Sequence, residues 1–139
     1  MDEVDYVLRN RMMQNPAEQT ITHRHSPRDR AAPIRQYGSF KPGTGTGGSG
    51  FPIPDEFSPQ LIHDRAGILS MANPGKPNSA TSQFFITLRE ARELNKVNAV
   101  FGQVVRGMDV VRKIGTVKTK NERPVTPVIL QKVRVEIVP

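Results

Sequence analysis

Cysteine is absent from the 139 residues, and so is tryptophan. Without cysteine there are no disulfides and no thiolate metal sites. Aromatic residues make up 6% of the chain and hydrophobic residues 36%, which suits one modest core. No apolar run approaches the roughly 18 residues that a membrane-spanning helix needs, so no membrane contact is expected. The opening Met1-Asp2-Glu3-Val4-Asp5 is acidic and has no apolar stretch behind it, unlike a secretory signal. A cytoplasmic location is the expectation, with one domain spanning 1–139.

Familiar catalytic patterns are missing as well. There is no GxSxG elbow, no Walker loop and no HExxH. Of the three histidines, His23 and His25 form an H-x-H pair without an evident third ligand, so no metal site is expected. The glycine-rich run at 43–50 lacks the Gly-Lys-Ser/Thr ending of a phosphate cradle, and no helix follows it. It reads as loop. No cofactor is expected.

What the chain does have is positive charge, +7 overall. Residues 103–139 hold eight Lys/Arg against three Asp/Glu. The eight are Arg106, Arg112, Lys113, Lys118, Lys120, Arg123, Lys132 and Arg134, interleaved with apolar residues. That spacing reads as the wet face of helices and strands, so nucleic acid is not the expected partner.

Local patterns divide the chain. Val4, Leu8 and Met12 recur at helical spacing, and Asn15-Pro16 would end a helix over 2–14. Residues 17–50 are rich in Arg, Pro, Ser, Gly and Thr, with little periodicity. From Phe51 the chain becomes orderly. Strands are expected over 67–73, 82–88, 99–105 and about 128–138, where Val133, Val135 and Ile137 alternate with charged residues. A loop is expected at 73–79. A short helix is expected over 107–114, with Gly115 as its left-handed cap. Short strands with two short helices suggest an antiparallel sandwich or barrel.

Several ordered blocks carry a resemblance. Gly67-Ile68-Leu69-Ser70-Met71-Ala72-Asn73, Ser82-Gln83-Phe84-Phe85-Ile86-Thr87, Val100-Phe101-Gly102 and Gly107-Met108-Asp109-Val110-Val111 together resemble cyclophilins. Gly45-Thr46-Gly47-Gly48, Asp55-Glu56-Phe57, Leu61-x-His63 and Arg123-Pro124 add to it. The resemblance covers 45–138. Upstream, Thr20-Ile21-Thr22-His23-Arg24-His25-Ser26-Pro27 is similar to the family's T-I-F-H-R-x-x-P, with Thr22 replacing phenylalanine.

The resemblance implies a closed antiparallel β-barrel with two short helices. It implies a peptidyl-prolyl cis-trans isomerase acting on proline-containing peptides and client proteins, as a monomer. It also implies roles. Arg24 matches the catalytic arginine, and Gln83 a glutamine near it. Phe85 and Leu94 match apolar residues of the proline pocket. Ala72 and Asn73 match positions that touch the substrate backbone. Asn98 stands at a pocket histidine position, Gln36 matches the glutamine of the family's Q-G-G-D element, and Gly45 matches a groove-lining glycine. Core packing would equally explain Leu94.

The departures point to an alternative, a catalytically weak or inactive peptide-binding module. The phenylalanine and methionine that floor the family's pocket have no assigned counterpart; Ile34, Tyr37 and Phe40 are the candidates. Glu93 stands where many members have tryptophan or histidine, which counts against tight cyclosporin binding. With helix 2–14 placed at the family's first helix, the barrel's first two strands would be lacking. A truncated, divergent or mis-started gene product would explain that.

Overall fold

The computed structural model describes residues 4–8, 34–37, 50–121, 123–128 and 133–137. Six strands form one sheet in the order β2-β4-β3-β5-β1-β8. In chain order these are β1 (Val4–Leu8), β2 (Ile34–Tyr37), β3 (Ile68–Met71), β4 (Phe84–Thr87), β5 (Val100–Arg106) and, last, β8 (Val133–Ile137). Between β5 and β8 lie helix α1 (Met108–Gly115) and the small ribbon β6 (Thr119–Lys120) with β7 (Arg123–Pro124). Adjacent strands of the large sheet are antiparallel, except that β1 runs parallel to β8. The described residues thus give a β-rich architecture whose sheet runs from β2 at one edge to β8 at the other.

The core follows from alternation along the central strands. Leu69 and Met71 of β3 meet Phe84 and Ile86 of β4 across the ladder, with Phe101 of β5 alongside. Phe84 and Phe101 meet edge to face with ring centroids 6.1 Å apart. Helix α1 closes this face by burying Val111 and Ile114. Its Arg112 and Lys113 are exposed, as are Arg106, Lys118, Lys120 and Arg123. These six basic residues therefore lie on wet surface, as their spacing implies. Burying a side chain such as Ile86 stabilises the fold by roughly 1.5–3 kcal/mol.

The expected strands over 67–73 and 82–88 form with trimmed ends, the one over 99–105 forms one residue later as Val100–Arg106, and the helix expected over 107–114 is α1. The expected helix at 2–14 does not form: Val4–Leu8 is strand β1. Val4, Tyr6 and Leu8 also recur at every second residue, so this pentapeptide fits either period. Two ladders decide it, because β1 pairs with both β5 and β8. The sheet therefore has an N-terminal strand where the sequence suggested only missing ones. Among the described residues α1 is the one α-helix.

The helix cap differs too. The left-handed residue is Gly107, before α1, at φ 82°. The helix ends at Thr116 instead, whose N–H donates to the Lys113 and Ile114 carbonyls and whose hydroxyl donates to Lys113 O at 2.9 Å. The hydroxyl supplies what a left-handed glycine would otherwise provide.

Gly67 opens β3 at φ +86°, a region that L side chains rarely adopt. A Cβ there would also meet Met108 Sδ at 3.3 Å. Gly67→Ala is therefore expected to destabilise the protein by about 1–3 kcal/mol, measured by urea unfolding.

Candidate functional site

The two faces of the β3–β4 pair do different work. Leu69, Met71, Phe84 and Ile86 point into the core. Ser70 and Phe85, paired across the ladder, take the opposite face, as strand periodicity requires. On the far side of β4, Gln36 of β2 pairs in register with Phe85, and Ile34 with Thr87. The chain thus brings Gln36 and Phe85 side by side from segments about fifty residues apart in sequence.

Beyond the strand ends the ladder continues for one bond. Ala72 N–H donates to Gln83 O at 2.9 Å. This puts Ala72, Asn73, Gln83 and Phe85 at one end of the β3–β4 pair. A second wall comes from the turn at 91–98, which begins as a 3₁₀ turn at Arg92–Leu94. Leu94 O accepts from the N–H groups of Val97 at 3.1 Å and Asn98 at 3.0 Å. Two side-chain amides fasten the turn to the end of β3. Asn98 Nδ2 donates to Met71 O at 2.8 Å, and Asn73 Nδ2 donates to Val97 O at 2.7 Å.

The structure therefore places Gln36 beside Phe85; it places Ala72, Asn73, Gln83 and Phe85 toward one end of the β3–β4 pair, and Leu94 and Asn98 on the turn fastened to that end. It also gives two of them a structural duty. Asn98 is buried and holds the turn in place. Asn73 spans the turn and its own loop, accepting Gly75 N–H at 3.0 Å. Phe85 is buried as well, and Leu94 is half-buried. Arg24, Gly45, the His23-x-His25 pair and most of the glycine run at 43–50 lie outside the described residues. So does Phe40, one of the three residues considered for the pocket floor.

Sequence reading missed what lies behind Phe85. His63 is fully buried, and its ring stacks on Phe85 at a centroid distance of 6.0 Å and an interplanar angle of 18°. Its Nδ1 lies 2.9 Å from Asn95 Oδ1, and its Nε2 lies 3.0 Å from Ser70 Oγ. An amide oxygen only accepts, so Nδ1 carries the proton in the neutral ring. Nε2 then accepts the Ser70 hydroxyl. Ala99 O, the other acceptor within reach of that hydroxyl, also receives Met71 N–H. Burial pushes the His63 pKa below 6.5, although the Asn95 hydrogen bond and the nearby Glu93 carboxylate both favour the charged form. His63 entered the sequence reading only through Leu61-x-His63. Nothing in its spacing marks Asn95 or Ser70 as its partners.

Among the described residues no group of three or more His, Cys, Asp or Glu is placed to hold a metal ion. A cavity of about 140 Å³ opens on the core side, between residues 53–61 and β3–β5. None of the site residues expected from sequence lines it. The candidate site residues lie instead where the 91–98 turn meets the end of the β3–β4 pair.

A family model described as cyclophilin type peptidyl-prolyl cis-trans isomerase matches residues 10–135. A protein of Neurospora crassa, peptidyl-prolyl cis-trans isomerase-like 1, is 50% identical over 97 residues, covering 67% of this chain and 59% of its own. The chain spans about three fifths of the length of the curated relatives it matches this way. The crystal structure of a Cryptosporidium parvum cyclophilin type isomerase aligns at TM-score 0.72 and 34% identity, covering 82% of this chain and 71% of that one. The same protein solved in the presence of the dipeptide Ala-Pro aligns at TM-score 0.71.

With the folded His63 pKa held below 6.5, the unfolded chain binds the extra proton first as pH falls. Stability contributed at neutral pH is then lost as pH drops through about 6.5 toward the folded value. Urea unfolding at about pH 7.5 and about pH 5.5 should show a larger loss in wild type than in His63→Gln, which does not titrate.

Proposed function

The chain belongs to the cyclophilin-type peptidyl-prolyl cis-trans isomerase family, and from that premise we propose that it catalyses rotation about X-Pro bonds in peptides and protein clients. One observation carries the reading. Gln36 and Phe85 stand in register on neighbouring strands, Ala72, Asn73 and Gln83 lie at the end of the β3–β4 pair, and the turn that carries Leu94 is fastened there. The Ala-Pro dipeptide used with the Cryptosporidium relative supports proline-containing peptides as the substrate class.

Amide resonance makes the C–N bond partly double, with a barrier of roughly 20 kcal/mol to rotation. Acceleration requires a site that holds the twisted amide better than either planar form. The family match assigns Phe85 and Leu94 to the apolar wall for the proline ring; of the two, the half-buried Leu94 has open surface. The backbone at Ala72 and Asn73 lies at the edge where a substrate backbone would run. As the bond twists, the proline nitrogen regains a lone pair, and a guanidinium can donate to it. Arg24 is assigned this donor by its match to the family's H-R-x-x-P segment. Arginine suits the task because it stays charged and presents rigid donors. No covalent intermediate or cofactor is needed.

The buried state of Phe85, 2% exposed, favours a second reading in which the site binds peptides without turning them over. A protease-coupled assay on an Ala-Pro peptide separates the two. Arg24→Ala, shown to be folded by circular dichroism, is expected to lose turnover by about 10²–10³-fold, the usual cost of one transition-state donor. Unchanged turnover in Arg24→Ala would refute Arg24 as the donor. A folded wild type that binds the peptide and shows no turnover would establish the binding module instead.

A further inference from the structure

We infer that His63 is a positioning residue that holds the turn carrying Leu94 in place against the β3–β4 pair. The inference rests on the isomerase reading for its bearing on turnover. Its geometric basis is independent of that reading.

His63 reaches the 91–95 turn through three polar contacts. Its backbone N–H donates to Asn95 Oδ1 at 2.9 Å, and its ring Nδ1–H donates to the same oxygen. Its carbonyl accepts Ala91 N–H at 2.9 Å. Asn95 directly follows Leu94, so these contacts hold the wall that carries Leu94. The other side of the ring faces the sheet, through Ser70 of β3 and the face of Phe85 of β4. One side chain therefore joins the turn to both central strands.

The anchor for this clamp is separate from the turn. Thr87 Oγ1 donates to Arg65 O at 2.8 Å and accepts Ile68 N–H at 2.9 Å, and Gly67 N–H donates to Thr87 O at 2.7 Å. The segment that follows His63 is thus strapped to the end of β4 without help from residues 91–95. With one side fixed, the His63–Asn95 pair holds the start of the turn beside Leu94, while Asn98 and Asn73 hold its far end. Buried, hydrogen-bonded groups of this kind are stiff, because each alternative leaves a polar atom unpaired.

The test compares wild type with His63→Phe, Asn95→Ala and Asn95→Asp. Phenylalanine keeps a ring against Phe85 and loses both ring hydrogen bonds. Alanine removes the shared acceptor, whereas aspartate restores it. Amide hydrogen exchange at Leu94, Asn95, Val97 and Asn98 should quicken by about fivefold or more in His63→Phe and Asn95→Ala, with β4 amides unaffected. In the same two variants kcat/KM on an Ala-Pro peptide should fall by about tenfold, mainly through KM, and Asn95→Asp should recover it to within about threefold. Unchanged exchange at the turn in both variants would overturn the clamp, as would an Asn95→Asp loss as large as that of Asn95→Ala. A folded wild type without turnover would count against the isomerase reading alone, and the exchange measurements would still decide the clamp.

Discussion

Among the described residues four polar side chains, His63, Ser70, Thr87 and Asn98, are buried, and each must find partners there. A buried polar group left unpaired costs about 1–3 kcal/mol, so these four dictate how the loops attach to the sheet. Thr87 ties the approach to β3 onto β4. Ser70 and His63 join across the face opposite the hydrophobic core. Asn98 fixes the turn at 91–98 to the end of β3. The loop at 63–67 and the turn at 91–98 keep their places on the sheet because these requirements are met together.

The arrangement also gives the two faces of a single strand different neighbours. Phe84 belongs to the core with Phe101, while its neighbour Phe85 stacks on His63 on the opposite face. Strand periodicity alone assigns the two adjacent phenylalanines to different tasks. A one-residue slip of β4 would exchange them, so the register set by the β2, β3 and β4 ladders decides which phenylalanine enters the core.

Much of this was legible in the sequence where one period dominated. The strands around Leu69, Ile86 and Phe101 and the helix beginning at Met108 have clear patterns and formed as expected. Val4–Leu8 supports two periods in five residues, and only pairing with strands far along the chain chose between them. Gly115 looked like a left-handed cap because glycine usually is one there, but the Thr116 hydroxyl satisfied the helix end. Family motifs named Ala72, Asn73, Gln83, Phe85, Leu94 and Asn98 as site candidates, and these lie near the end of the β3–β4 pair and on the turn fastened to it. The partnership of His63 with Asn95 and Ser70 was not legible, since it joins positions 32 and 7 residues apart with no repeating pattern.

The placement of β1 bears on how the molecule comes into being. Its two neighbours, β5 and β8, are made long after it; Val4 pairs with Val133. On the ribosome, β1 leaves the exit tunnel with neither partner available. The core strands β3 and β4 can meet while β1 is still solitary, and β8 comes last of all. Contacts between such distant residues close slowly, because a long loop must be ordered before any pairing is gained. The newborn chain therefore carries a strand-forming segment with open edges for most of its synthesis, a condition under which holding chaperones matter most.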